Sequence, residues 1–379
     1  MIDQTRMLAE FLELVRIPCS NRAEREIADI LKSRLTALGL VVMEDDAGTK
    51  IGGNCGNILA YLRGTVSDAP VLLLSAHMDC VEPCRGINPQ VTADGVITSD
   101  GTTILGADDK SGIVSIMEAL RVITENDVPH GDIQIIFTVA EENGGNGAKN
   151  MDRSLLKADF SYVLDSSGEP GKIIIKTPGK NKLHVVIHGR AAHAGVSPEE
   201  GVNAIIVAGK ALAELRDGRI DHETTANVGY IKGGETTNIV PDKVELLCEV
   251  RSRNPEKAAA QTKQICETFE RVAAANEARA EVTVTRSYES YVLNKESRLV
   301  TLAFQAAASI GLTPRLEESG GGTDANFFNT CGIPTTALST GMSKIHTTEE
   351  YIKVTDLLQT VNWVIAIVRQ TAVSQGTVL

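Results

Sequence analysis

Apolar residues near the start of the chain recur three and four positions apart: Leu8, Phe11, Leu12 and Val15, then Ile27, Ile30, Leu31 and Leu35. That spacing lines one face of an α-helix, so two amphipathic helices open the chain and the second closes near Gly39. The pattern then shortens. "VLLLS" (71–75) and "DIQIIFTVA" (132–140) are nearly continuous apolar runs rich in branched residues, as expected of strands buried on both faces. Between them "SGIVSIMEALRVIT" returns to helical spacing, and "FSYVLD" supplies a further strand. Strand, helix, strand, strand in this style predicts an α/β fold with a mostly parallel sheet sandwiched by helices.

From about residue 177 the texture changes. "KLHVVIHG", "TTANVGYIKG", "DKVELLCEV" and "EVTVTRS" alternate apolar with polar positions, the signature of a half-exposed antiparallel sheet. "VNAIIVAGKALAELRDG" and "EKAAAQTKQICETFERVAAANEA" read as helices packed on it. Near residue 295 the first style resumes with "ESRLVTLAFQAAASIG" and "IPTTALS", and "TDLLQTVNWVIAIVRQ" forms a closing helix. A chain of 379 residues exceeds what one ordinary core supports. The expected organisation is a larger α/β domain, residues 1–176 and 291–379, carrying an inserted α+β domain at 177–290.

Composition removes several function classes. Only 4% of residues are aromatic and the formal charge is −12, which opposes both base-stacking platforms and a phosphate-binding surface. The N-terminal stretch "MIDQTRMLAEFLELVRIPCS" interleaves charged with apolar residues, unlike a signal peptide. No run approaches the roughly 18 apolar residues of a membrane helix. A cytoplasmic protein without nucleic-acid or membrane partners is expected. Seven cysteines, an odd number, suit reduced thiols, and the close pair Cys80 and Cys84 lacks the second Cys/His pair of a structural zinc site.

Six stretches place an imidazole or carboxylate at the end of an apolar run or in a tight turn. They are "VLLLSAHMDC" with His77 and Asp79, "LGADDKSG" with Asp108 and Asp109, "FTVAEENGG" with Glu141 and Glu142, "YVLDSSG" with Asp165, "GGTDANFF" with Asp324, and "SKIHTTEEY" with His346. The carboxyl ends of parallel strands form one rim, where ligand sites collect. Imidazole nitrogen and carboxylate oxygen suit zinc or a similar divalent cation. Two His with Asp, Glu and Asp can hold two ions, one carboxylate shared, and such a pair activates a water while polarising a carbonyl. Neighbours at a strand end point different ways, so Glu142 is expected to reach a metal and Glu141 to serve the water as general base. Residues two apart on a strand share a face, which suits Asp79 accepting the second N–H of a metal-bound His77.

"SAHMDCV", "GADDKSGI", "TVAEENGGNGA", "YVLDSSG", "GGTDANFF" and "IHTTEEY" together resemble, in order and over nearly the whole chain, the motifs of the two-zinc metallopeptidases that include peptidase T, carboxypeptidase G and acetylornithine deacetylase. Among these branches the chain is most similar to peptidase T-like aminopeptidases. The resemblance implies a zinc-exopeptidase-like catalytic domain with an inserted dimerisation or lid domain. It places His77 and Asp165 on one zinc, Glu142 and His346 on the other, and Asp108 between them. Glu141 becomes the base and Asp79 the orienting group, and the Asp108–Asp109 peptide is expected to be cis.

"GRAAHAGVSPEEGVNAI" resembles the stretch through which the family's inserted domains pair. This implies a homodimer in which His193 steadies the oxyanion in the partner's site; the other reading has His193 closing a turn before Gly195. Asn238 and Arg251 fall where relatives contact substrate, and Arg251 is either a bidentate clamp for a substrate carboxylate or a strand-end ion pair. Gly321 and Gly322 offer backbone N–H groups to that carboxylate or punctuate a turn. Relatives often carry Asp-x-Arg where this chain has Glu249, Val250 and Arg251. His184 and His188 read as sheet residues, and His130 and His222 receive no role.

The implied activity is release of the N-terminal residue from short peptides, tripeptides foremost, with two divalent ions per subunit: zinc, or else manganese or cobalt. An N-acyl amino acid deacylase or dipeptidase needs the same ligands and is the alternative. A binding protein on the same fold is a third reading, opposed by the complete ligand set.

Overall fold

The computed structural model describes residues 1–373. Four strands form the centre of the main sheet, in the spatial order Ile133–Thr138, Leu72–His77, Phe160–Ser166 and Thr335–Ser339, and all four run parallel. Every residue of the first two is buried, which is why their sequences are apolar without alternation. The flanks are antiparallel: Ile58–Leu62 pairs with Ile133–Thr138, Val41–Glu44 with Ile58–Leu62, and Lys172–Thr177 with Thr335–Ser339. The expected mostly parallel sheet is therefore its central part.

The helix Ala107–Glu125 is buried along nearly its whole length, and its buried polar residues include Asp108, Lys110 and Glu118. The helices Arg298–Ser309 and Val354–Val373 complete this core. Large aromatics of this core are buried with the polar atom satisfied: the Trp363 indole N–H donates to the Ala303 carbonyl at 2.9 Å, and the hydroxyl of Tyr162, on the strand Phe160–Ser166, to the Leu299 carbonyl at 2.7 Å. The opening helices are Gln4–Leu14, capped by the Asp3 carboxylate, and Arg25–Ala37. Arg6 grips the buried Glu118 with two donors, and Arg121 grips the buried Glu10 in the same way. Bidentate contact of this kind satisfies a carboxylate removed from water.

The described residues divide into two units: Met1–Ile175 with Val292–Glu318 and the chain from Thr323 onward, and Lys176–Tyr291 with Ser319–Gly322. The last four residues, expected in the larger domain, group with the smaller unit. Ser319 N–H donates to the Lys176 carbonyl at 2.8 Å, and a Cβ on Gly322 would lie 2.4 Å from the Tyr288 ring. The smaller unit is an antiparallel sheet in the order Gly218–Arg219, Thr224–Gly233, Lys243–Ser252, Gly179–His188 and Arg279–Tyr288. Its alternating residues, among them Leu183, Val185, Ile187, Val244 and Leu246, form a core with Phe269 of the helix Pro255–Ala275 and Val207 of the helix Ala204–Glu214. Asn254 and Asn203 cap these helices, each accepting from two backbone N–H groups.

Candidate metal centre

The expected ligands lie beyond the carboxyl ends of the parallel strands. His77 ends its strand and Asp165 is the penultimate residue of Phe160–Ser166. Asp108 sits in the first turn of the helix Ala107–Glu125, where it and Asp109 have non-helical angles and the peptide between them is cis, as the resemblance implies. His346 follows the strand Thr335–Ser339 in a left-handed backbone conformation, φ 63°. Glu141 and Glu142 correct the sequence expectation in one respect. Their strand stops at Thr138, and they stand on a turn after Ala140, whose φ is 51°.

Asp108 spans the two imidazoles, one oxygen to each: Oδ1 is 3.0 Å from His77 Nε2 and Oδ2 is 3.2 Å from His346 Nε2. His346 Nε2 is also 3.1 Å from Glu142 Oε1. Donor atoms of His77, Asp108 and Glu142 all lie within 4.8 Å of one another, and so do those of His77, Glu141 and Asp165. Glu141, read from the sequence as the base, thus stands within ligand distance as well. His77 Nδ1 is 3.1 Å from the Asp79 carbonyl oxygen and 3.4 Å from its carboxylate, so backbone and side chain of Asp79 both face the ring.

Buried groups hold the turns in place, and the sequence had not singled out three of them, Glu24, Asn57 and Glu350. Four successive N–H groups after Thr138 each find a side-chain acceptor: Val139 on Asn57 Oδ1 (3.0 Å), Ala140 on Glu24 Oε1 (3.0 Å), Glu141 on Asp79 Oδ1 (2.9 Å) and Glu142 on Asp79 Oδ2 (3.2 Å). Buried backbone donors require such partners. Asp109 accepts from the His77 and Gly112 N–H groups, and Asp324 accepts from the Thr138 hydroxyl at 2.5 Å. Glu350 accepts from Leu105, Gly106 and Asp108. Glu350 lay inside a quoted motif, "IHTTEEY", but Glu24 and Asn57 sit in polar stretches without any distinguishing pattern.

The electrostatics fit a cation. Burial pushes the Glu141 and Asp165 carboxyls well above the usual range, opposed in both cases by His77. Burial also raises Asp108, but hydrogen bonds from His346 and His77 outweigh it and leave its pKa lowered. Asp108 and Glu142 raise His346 to about 10, and His77 is held well above its ordinary value by Asp108 and Asp79 despite burial. Five carboxylates, Asp79, Asp108, Glu141, Glu142 and Asp165, thus face only two imidazoles, His77 and His346. Asp324 Oδ1 is buried without a hydrogen-bond partner among the described residues, and buried Glu142 Oε1, though 3.1 Å from His346 Nε2, receives no well-directed hydrogen bond. A donor set of nitrogen and oxygen, an excess of carboxylates over imidazoles and a buried ligand oxygen without a well-directed donor together suit a divalent ion.

The remaining candidates belong to the smaller unit. His193 is exposed, and its Nδ1 accepts the N–H groups of Gly195 and Val196 at 3.2 and 3.1 Å, which closes the turn. Asn238 is exposed and accepts from the Thr236 hydroxyl at 2.8 Å. Arg251 is paired with Glu249, Nε to Oε1 at 2.7 Å, and Lys180 shares that carboxylate at 2.6 Å. The guanidinium is thus engaged in the strand-end pair. Gly321 N–H donates to Ser319 Oγ at 3.0 Å, so this donor already has an acceptor. Gly322 answers to packing, since a side chain would strike Tyr288.

Known proteins resemble the chain from end to end. The profile of peptidase family M20/M25/M40 matches residues 73–370. The solved structure of aminopeptidase PepT from Bacillus cereus is 44% identical, superposes with a TM-score of 0.89, and covers 98% of this chain and 99% of its own. That of a tripeptidase from Staphylococcus aureus is 41% identical with a TM-score of 0.93 over the same shares. The uncharacterized protein YqjE of Bacillus subtilis is 43% identical over 372 residues, 98% of this chain and 100% of its own. With a family profile spanning most of its length and relatives alike from end to end, the chain belongs to peptidase family M20/M25/M40.

Proposed function

We propose that the protein is a metal-dependent aminopeptidase that releases the N-terminal residue of short peptides, tripeptides foremost. One observation carries the metal chemistry: His77 and His346 converge on the two oxygens of Asp108, with Glu142 beside His346 and Asp165 and Glu141 beside His77. The substrate class is supported by the aminopeptidase and tripeptidase that resemble the chain from end to end. His77, Asp108, Glu142, Asp165 and His346 would hold two divalent ions, zinc foremost. Bound ions of this kind lower the pKa of a water and polarise a carbonyl.

The chain's own residues do the rest. Asp79 fixes the His77 ring through Nδ1 and holds the Glu141–Glu142 turn through two N–H groups. Glu141 is aimed by that turn and takes a proton from the attacking water, then returns it to the leaving amine. The reading includes a homodimer formed through the smaller unit, in which His193 serves the partner's site, and a cytoplasmic location. No helix among the described residues is long and apolar enough to cross a membrane.

The test couples metal analysis to cleavage of a tripeptide panel, before and after chelation, with N-acetylated peptides alongside. Two equivalents of metal, activity lost on chelation and restored on reloading, and preference for free amines are expected. Preference for the blocked peptides would replace the aminopeptidase by a deacylase.

A further inference from the structure

The helix carrying Asp108 begins without a side-chain cap of its own. Its N-cap is Gly106, at φ 76°. The first N–H groups of a helix have no partner within it, and buried ones must find one elsewhere. Of these, the Asp108 N–H finds Glu350, which also takes the Leu105 and Gly106 N–H groups just ahead of the helix. Oε2 accepts from Leu105 and Gly106, each at 2.8 Å, and Oε1 accepts from Asp108 at 3.0 Å. Glu350 is 1% exposed, so water does not substitute for it.

Glu350 also stands four positions after His346. The loop that presents His346 and the turn that presents Asp108 are therefore tied together at the backbone of Asp108, in addition to the contact between His346 Nε2 and Asp108 Oδ2. Asp108 and Asp109 are non-helical, so Glu350 serves the turn ahead of the regular helix. Three donors drawn onto one side chain fix the orientation of the turn as well as its stability.

We propose that Glu350 is a positioning residue: by clamping Leu105, Gly106 and Asp108 it sets the Asp108 carboxylate between His77 and His346. The inference rests on the metal-centre reading above. Its distinguishing consequence is that Glu350 governs the geometry of bound metal without touching it. An amide at this position has one acceptor oxygen and an NH2 group that opposes a backbone donor, so Glu350→Gln cannot satisfy all three N–H groups.

The experiment titrates metal-free wild type, Glu350→Gln and the neighbouring exposed control Glu349→Gln with cobalt(II) chloride. Visible absorption of the bound ion is followed, and kcat and KM are measured on a tripeptide. Wild type and Glu349→Gln are expected to take up two equivalents with the same spectrum. Glu350→Gln should bind at least one equivalent tenfold or more weakly, with an altered cobalt band, and lose tenfold or more in kcat while KM stays within threefold. Wild-type affinity and spectrum in Glu350→Gln overturn the proposal. If that variant does not melt cooperatively, Glu350→Asp is measured instead, and an unaltered spectrum there overturns the proposal equally. Failure of wild type to bind cobalt overturns the metal-centre reading itself, which separates the two.

Discussion

Asp79→Asn is the most economical perturbation of the centre, because it changes one atom and one charge at a fully buried position. The Asp79 carboxylate accepts from the Glu141 N–H at 2.9 Å and the Glu142 N–H at 3.2 Å, and lies 3.4 Å from His77 Nδ1. Asparagine keeps one acceptor oxygen and turns an NH2 group on whichever N–H loses its partner. A hydrogen bond to a charged acceptor contributes about 1.5–3 kcal/mol, and each ~1.4 kcal/mol is tenfold in rate. The expected fall in kcat/KM is therefore on the order of 10–100-fold, which agrees with the usual effect of removing a group that orients a metal ligand. The assay is kcat/KM on a free-amine tripeptide with metal content measured on the same samples. A variant within threefold of wild type at full metal content would refute the idea that Asp79 holds this turn and ring in working geometry.

Three other outcomes follow from the same structure. Glu141→Gln should lower kcat by roughly 10²–10⁴-fold while both metals stay bound; loss of a metal equivalent instead would make Glu141 a ligand, in line with its place beside His77 and Asp165. In the metal-free protein, burial raises Glu24 and Glu350 from the ordinary 4.5 to about 7. The native state then binds more protons than the unfolded chain between those values, so stability falls as pH rises from about 5 to 7; a Tm series on metal-free protein checks this, and Glu24→Gln should make the fall shallower, leaving the Glu350 share. In Gly112→Ala the new Cβ would sit 2.5 Å from Asp109 Oδ1 and from the Leu164 carbonyl oxygen. Displacing Asp109, which accepts the His77 N–H at 3.1 Å, should cost about 1–3 kcal/mol of stability and weaken metal uptake, read by thermal melts and metal titration.

Much of the architecture was legible because it depends on periodicity. The short, nearly continuous apolar runs at 72–77 and 133–138 suited strands covered on both faces, and the alternation at 179–188 and 243–252 a sheet with one open face. The antiparallel flanks of the main sheet were not legible. Strand direction depends on how the connections cross, which local pattern does not record. Likewise Ser319–Gly322 sits among residues of the larger unit in sequence, yet its hydrogen bonds go to the smaller one.

At the centre, the sequence determined which side chains can bind a cation, since imidazoles and carboxylates at the ends of apolar runs are visible one residue at a time. Only the tertiary structure decided what holds them. Glu24 reaches Ala140 across 116 positions and Glu350 reaches Asp108 across 242. The group each one grips is a backbone N–H, and that is the same in every residue but proline. A contact to a feature that all residues share leaves no mark on the sequence of the segment that receives it, so the ligands could be read from the chain and their supports could not.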